Sequence, residues 1–110
     1  MSLYAKYLTE RTNDKILELN HGFATYRFIP EQKAVYIIDI FVEPDFRKAG
    51  NAESMANQIA KIAKAEGCTK MIGSVMPSSK NSTASLQVLL AYGMRLQSAG
   101  NDFILMEKEI

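Results

Sequence analysis

From Ala34 to Val42 the chain reads Ala-Val-Tyr-Ile-Ile-Asp-Ile-Phe-Val, and just beyond it, at Pro44, the apolar period changes. So dense a run of β-branched and aromatic residues predicts a strand. From Ala52 onward, apolar or small residues fall at Met55, Ala56, Ile59, Ile62 and Ala63, with Asn57, Gln58, Lys61 and Lys64 between them. That is helical spacing with one solvated face. Asn51 is a candidate N-cap, Glu53 suits the helix dipole, and Gly67 is a natural stop. Cys68 to Met76 then reads as a second buried strand, closed by Pro77. A strand, a helix and a strand in this order imply a crossover and one parallel strand pair.

The flanking segments wrap this unit in antiparallel structure. Tyr4–Thr9 predicts a strand, Asn13-Asp14 a turn, and Lys15–Asn20 a second strand. His21-Gly22 reads as a turn, Phe23–Ile29 as a strand ending at Pro30, and Glu31-Gln32-Lys33 as a short connection. These connections are too short for crossover helices, so the runs form a meander. After Pro77, Ser78–Thr83 reads as a polar loop. A helix is expected from about Thr83 to Tyr92, stopped by Gly93, followed by a hairpin of Met94–Ser98 and Phe103–Glu109 around Gly100-Asn101. The expected fold is α+β: a mixed, mostly antiparallel sheet with one parallel pair and two covering helices. At 110 residues it forms a single domain spanning the whole chain.

Composition narrows the function classes. Thirteen basic and twelve acidic residues give a formal charge of +1, which offers no electrostatic case for nucleic acid or a membrane surface. The strongest apolar run, Val35–Val42, is too short to span a bilayer. One cysteine, Cys68, and one histidine, His21, leave no internal disulfide and no Cys/His metal site, so no metal is expected. With no apolar leader, the expected compartment is the reducing cytoplasm. Cys68 reads as a small core residue, and His21 as a turn residue with a hydrogen-bonding role.

The segment Val42-Glu43-Pro44-Asp45-Phe46-Arg47-Lys48-Ala49-Gly50-Asn51-Ala52 joins the strongest strand to the helix. Backbone N–H groups in such a loop, backed by a helix N-terminus, can hold a phosphate group. Gly50 permits close approach or positive φ, Ala52 keeps the helix start clear, and Arg47 and Lys48 add positive charge. An ordinary strand-to-helix turn with two solvated cations would read the same way.

The spacing Val-x-Pro-x-x-Arg-x-x-Gly-x-Ala, from Val42 to Ala52, resembles the acetyl-CoA motif of the GNAT superfamily of N-acetyltransferases. Arg47, Gly50 and Ala52 fill the three defined places of its Arg/Gln-x-x-Gly-x-Gly/Ala core. The order of elements from about residue 23 to residue 110 is similar as well. The resemblance implies that the coenzyme's diphosphate rests on Arg47, Lys48, Ala49, Gly50, Asn51 and Ala52. The pantetheine arm would then lie along the strand edge at Ile40, Phe41 and Val42. It implies a V-shaped gap between this strand and Cys68–Met76, with a main-chain N–H near Val42 facing the thioester carbonyl. Asn81 resembles the asparagine often found at the start of the second helix.

Against the family pattern, the tyrosine expected four residues before the second helix's terminal glycine is Leu89, with Tyr92 adjacent to Gly93 instead. The two helices that usually shape the acceptor side find no room here, so a homodimer or a protein partner is expected to complete it. Asp39, three residues before Val42, is the candidate general base, with Glu43 in reserve. The activity implied is transfer of an acetyl group from acetyl-CoA to a primary amine by direct attack on the thioester. The alternative is a non-catalytic GNAT-like module that binds coenzyme A or serves in assembly.

Overall fold

The computed structural model describes residues 2–47, 49–80 and 82–110, without the side chain of Ala84. Its elements are helix α1 (Leu3–Arg11), strands β1 (Lys15–Leu19), β2 (Gly22–Ile29) and β3 (Ala34–Val42), helix α2 (Asn51–Ala65), β4 (Lys70–Val75), α3 (Ser82–Ala91), β5 (Arg95–Gly100) and β6 (Phe103–Glu109). The six strands form one sheet in the order β1-β2-β3-β4-β6-β5. Among the described residues, β3 and β4 run parallel and the other neighbouring strands antiparallel. The mixed α+β architecture is the expected one, with three helices rather than two.

Cross-strand partners share a face of the sheet, so register and packing assign the layers. Val35 and Ile37 pair with Phe28 and Tyr26 on one side of β3 and with Met71 and Gly73 on the other. This face packs against Met55, Ile59 and Ala63 of α2 to form the core. A Cβ placed on Gly73 would lie 3.5 Å from Leu89 Cδ2, so α3 covers the same face. The opposite face carries Phe23, Thr25, Tyr36, Asp39, Phe41 and Ser74. Among the described residues, α1 lies against it, through Tyr4 edge-on to Phe23 at 6.0 Å.

The helix α1 corrects the strand expected over Tyr4–Thr9. Tyr4, Tyr7 and Thr9 are residue types enriched in strands, but Ser2 acts as N-cap and accepts a hydrogen bond from the Ala5 N–H. Thr9 and Thr12 hydroxyls donate to the carbonyls of Ala5 and Leu8, four residues back. Ala5 and Leu8 are the residues it buries.

Smaller corrections concern ends and turns. The N-cap of α2 is Gly50 in the left-handed region (φ 81°), not Asn51, which is the first helical residue. Asn51 Nδ2 instead donates to the Phe46 carbonyl at 2.8 Å. Cys68 and Thr69 precede β4 and serve as connectors: Cys68 N–H donates to Ala63 O at 2.9 Å, and Thr69 N–H to Lys33 O at 2.7 Å. The β5–β6 turn is Asn101-Asp102, both at positive φ, one residue later than expected. That pair of angles is the twisted two-residue turn that hairpins favour.

Candidate functional site

The geometry of interest lies where β3 and β4 stop pairing. Their parallel register runs from Ala34↔Lys70 to Ile37↔Gly73 and ends there, although β3 continues to Val42 and β4 to Val75. The cause is local. Across β2–β3, Thr25 pairs with Asp39 and Tyr26 with Ile37, leaving Ile38 as an extra residue. Such a bulge bends its strand and re-aims the residues beyond it. Past Ile37, then, β3 stays with β2 and departs from β4, opening a V-shaped gap.

The free edge of β3 faces that gap. Glu43 N–H donates to His21 O at 2.8 Å, on the β2 side. Backbone groups alternate in direction along a strand, so the N–H groups of Val42 and Ile40 point into the gap. The Val42 carbonyl on that side accepts a hydrogen bond from Arg47 Nε at 2.8 Å. Arg47 also lays its guanidinium over the Phe41 ring, 5.8 Å from the centroid. Arg47 therefore braces the mouth of the gap, a role its charge alone did not reveal. Phe41 is exposed beside it on the sheet face not covered by α2 or α3.

At the open end, Pro44–Phe46 make a short 3-10 turn before Gly50 and α2. The loop is held from both sides. Phe46 stacks flat on His21, with centroids 3.5 Å apart at 6°, and its carbonyl takes the Asn51 amide. Nothing lies within 4 Å of a Cβ built on Gly50. The first N–H groups of α2 have no partners within the helix. They and the clear space at Gly50 fit an anionic ligand. Two expected site residues, Lys48 and Asn81, lie outside the described residues. Of the remaining candidates, Arg47 is bonded to Val42 and lies over Phe41, while Asn51 is tied to Phe46.

A cleft of about 350 Å³ runs from Gly50 along Glu53, Ser54 and Asn57 of α2. Tyr92 stands at the α3 side, its hydroxyl donating to Asn57 Oδ1 at 2.8 Å. Burial, and then the nearby Glu53 carboxylate, push the Tyr92 phenol upward, so it stays protonated. Lys108 Nζ sits 4.1 Å over the Tyr92 ring and donates to the Tyr92 carbonyl at 2.7 Å. Tyr92 is thus a strut between α2, α3 and β6. Leu89 fills the apolar space over Gly73.

The two candidate bases are placed differently. Asp39 pairs with Thr25, is exposed, and lies on the sheet face that α2 and α3 leave uncovered. Glu43 lies past the end of β3, its Oε2 3.5 Å from His21 Nδ1, at the loop rather than in the gap. Cys68 is half-buried, and burial followed by the Glu66 charge raises its thiol. Alkylation of Cys68 by iodoacetamide at pH 7.5 is accordingly expected to run several-fold slower in the native chain than in urea. Equal rates would remove the apolar environment assigned to it.

The model of the acetyltransferase (GNAT) family matches residues 10–88, most of the chain and all of this site except its end. The chain belongs to that family. No curated protein matches its sequence significantly. Among solved structures it is similar to the PaiA N-acetyltransferase of Thermoplasma acidophilum in complex with coenzyme A, at 13% identity and a TM-score of 0.78. That match covers 96% of this chain and 66% of the Thermoplasma protein. It is also similar to an IAA acetyltransferase of Bacillus cereus, at 16% identity and TM-score 0.72, covering 97% of this chain and 83% of that one. A ribosomal-protein alanine N-acetyltransferase of Escherichia coli gives 15% identity and TM-score 0.70, over 96% of this chain and 75% of that one. At these identities the likeness is one of fold.

Among the described residues, no helix is long and apolar enough to cross a membrane. Also among them, no group of three or more His, Cys, Asp or Glu side chains is placed to hold a metal ion. The GNAT motif segment, Val42–Ala52, falls within the matched range.

Proposed function

We propose that this GNAT chain is an acetyl-CoA-dependent N-acetyltransferase that acts on a primary amine. The observation that carries the reading is the gap between β3 and β4, with the Gly50 turn and the α2 N-terminus at its open end. The diphosphate rests on the loop from Arg47 to Ala52, Lys48 included, with Asn81 on the α3 side. The pantetheine arm runs along the free edge of β3 past Val42, as an added strand would. The thioester carbonyl then meets the inward main-chain N–H of Ile40, two residues before Val42, which stabilises the tetrahedral oxyanion.

Coverage of the sheet sets the direction of approach. The helices α2 and α3 occupy one face of the sheet, so the amine reaches the gap from the other. Asp39 is on that face and takes the proton as the amine attacks; Glu43 is the reserve. The amine nitrogen bonds to the carbonyl carbon, the carbon–sulfur bond breaks, and no covalent enzyme intermediate forms. The same face has α1 at one side and exposed apolar side chains at Tyr4 and Phe41. A second copy of the chain or a protein partner completes the acceptor side there. The chain works in the cytoplasm and needs no metal.

Calorimetry with acetyl-CoA tests the reading. The native chain is expected to bind with micromolar affinity, and Arg47→Glu or Gly50→Val to weaken binding by about tenfold or more, or about 1.4 kcal/mol. For Gly50 the loss comes from φ 81°, which a β-branched residue adopts only under strain. No binding by the native chain at high micromolar acetyl-CoA sinks the proposal. Binding without turnover over a broad amine panel favours the non-catalytic module, for which Leu89 at the usual tyrosine place speaks.

A further inference from the structure

The hydroxyls of Tyr36 and Ser74 hydrogen-bond to each other across β3 and β4. Their place in the fork is specific. Ile37↔Gly73 is the last paired rung, and Ser74 is the first β4 residue beyond it. Tyr36 pairs with Ile72, two residues before Ser74, so its side chain leans along the strands toward the opening gap. Both residues are half-buried and lie on the face that α2 and α3 leave uncovered. An arm entering from the loop at Val42, with its carbonyl at the Ile40 N–H, brings its acyl end toward this vertex. From Ile40 back to Ile38, which follows Ile37 as Ser74 follows Gly73, is two residues, about 7 Å of strand.

The departing sulfur needs a proton, and α3 presents Leu89, which has none to give. We propose that the Tyr36–Ser74 pair is the proton donor to the departing thiolate. The assignment rests on the acetyl-CoA reading above. In a bonded pair of hydroxyls one proton joins the two oxygens, and the other is free to reach a third atom. As the carbon–sulfur bond breaks, its electron pair goes to sulfur, which takes the free proton of the pair. The proton between the oxygens shifts to refill the one that gave. The proton released by the amine, through Asp39 and solvent on the open face, restores the pair. Amine and thioester thus give amide and free thiol with no proton left over. Arg27 stands opposite Tyr36 in the β2–β3 register. Its own partner, Asp14, is 2.6 Å from Nε on the outer side.

The test uses hydroxylamine, a small nucleophile neutral at pH 7, in place of the unidentified amine, and reads thiol release from acetyl-CoA. Tyr36→Phe and Ser74→Ala are each expected to lower kcat by about tenfold to a hundredfold, the lower range for an acid catalyst. The KM for acetyl-CoA and its calorimetric affinity should stay within about twofold, because neither hydroxyl holds the arm. Ser74→Thr keeps the hydroxyl and should recover most of the rate. A donor whose leaving thiol is strongly acidic, such as acetylated nitrothiophenol, should lose less than about threefold in either variant. That contrast separates proton donation from a packing role, as does unchanged thermal unfolding of Tyr36→Phe. Normal binding with an unchanged rate in both variants overturns the assignment, as does an equal loss with both donors. Binding without thiol release by the native chain overturns it too, while leaving coenzyme binding intact. Absence of acetyl-CoA binding overturns the parent reading and this one with it.

Discussion

Replacing Gly22 by alanine is expected to lower the unfolding free energy by about 3 kcal/mol, near the upper end of what overpacking costs. A Cβ there would lie 2.3 Å from the Phe41 carbonyl oxygen, 3.2 Å from Val42 Cα and 3.3 Å from Met55 Cε. Met55 can swing aside, but the backbone of β3 cannot yield without separating from β2. In a domain of this size the loss corresponds to a fall in Tm of roughly 12–18 °C. Gly73→Ala is the control. Its nearest neighbours, the tips of Leu89 and Met94, are at 3.5 Å, an ordinary contact. That variant should fall by less than about 1 kcal/mol. Chemical denaturation of the two variants side by side decides the matter, and equal stability would show that β2 and β3 are not tightly apposed at Gly22. The strain is also aimed at the site. Gly22 pairs with Val42, so the part of β3 that must move is the edge lining the gap. At temperatures where Gly22→Ala remains folded, its acetyl-CoA affinity should still fall below that of Gly73→Ala.

The same pairing explains which parts of the molecule the sequence makes legible. The strand Ala34–Val42 is read correctly to the residue because its side chains are β-branched or aromatic almost throughout and Pro44 lies just past its end. The parallel pair comes from the crossover order, and α2 from its spacing. The gap was implied only by family resemblance. Its physical cause, the extra residue Ile38, leaves no mark in composition, since bulges depend on register between two strands. For α1 the determinants were a single serine cap and two small contacts, Ala5 and Leu8, while Tyr4 and Tyr7 argued for a strand. Gly50 and Asn51 exchanged roles because the Asn51 amide is consumed by Phe46 O, an interaction set by the loop's three-dimensional path. The stacking of His21 on Phe46 and the Tyr36–Ser74 pair join residues 25 and 38 positions apart in the chain, and no local pattern signals either.

The largest functional effect is expected at Asp39. An amine with pKa ~10.4 is neutral about once in 2,500 molecules at pH 7, a cost near 4.6 kcal/mol that a base at the site offsets in part. Asp39→Asn keeps the shape and removes the proton acceptor. With a primary amine substrate, kcat/KM at pH 7 should fall by about a hundredfold to a thousandfold, within the range of general-base losses. Since Asp39 is exposed and pairs only through backbone with Thr25, stability should change by no more than about 0.5 kcal/mol. Two comparisons separate proton removal from disturbance of the strand. With hydroxylamine the loss should shrink to a few-fold, because that nucleophile arrives neutral. As pH rises toward the amine's own pKa, solvent supplies the neutral form and the variant should converge on the native rate. Glu43→Gln, at the loop beside His21, should lose less than about threefold. A larger loss at Glu43 than at Asp39 would move the base to the mouth of the gap and require the amine to enter beside the phosphate loop. The uncovered face argues against that route, because it offers Asp39 an open path to the vertex where β3 and β4 part.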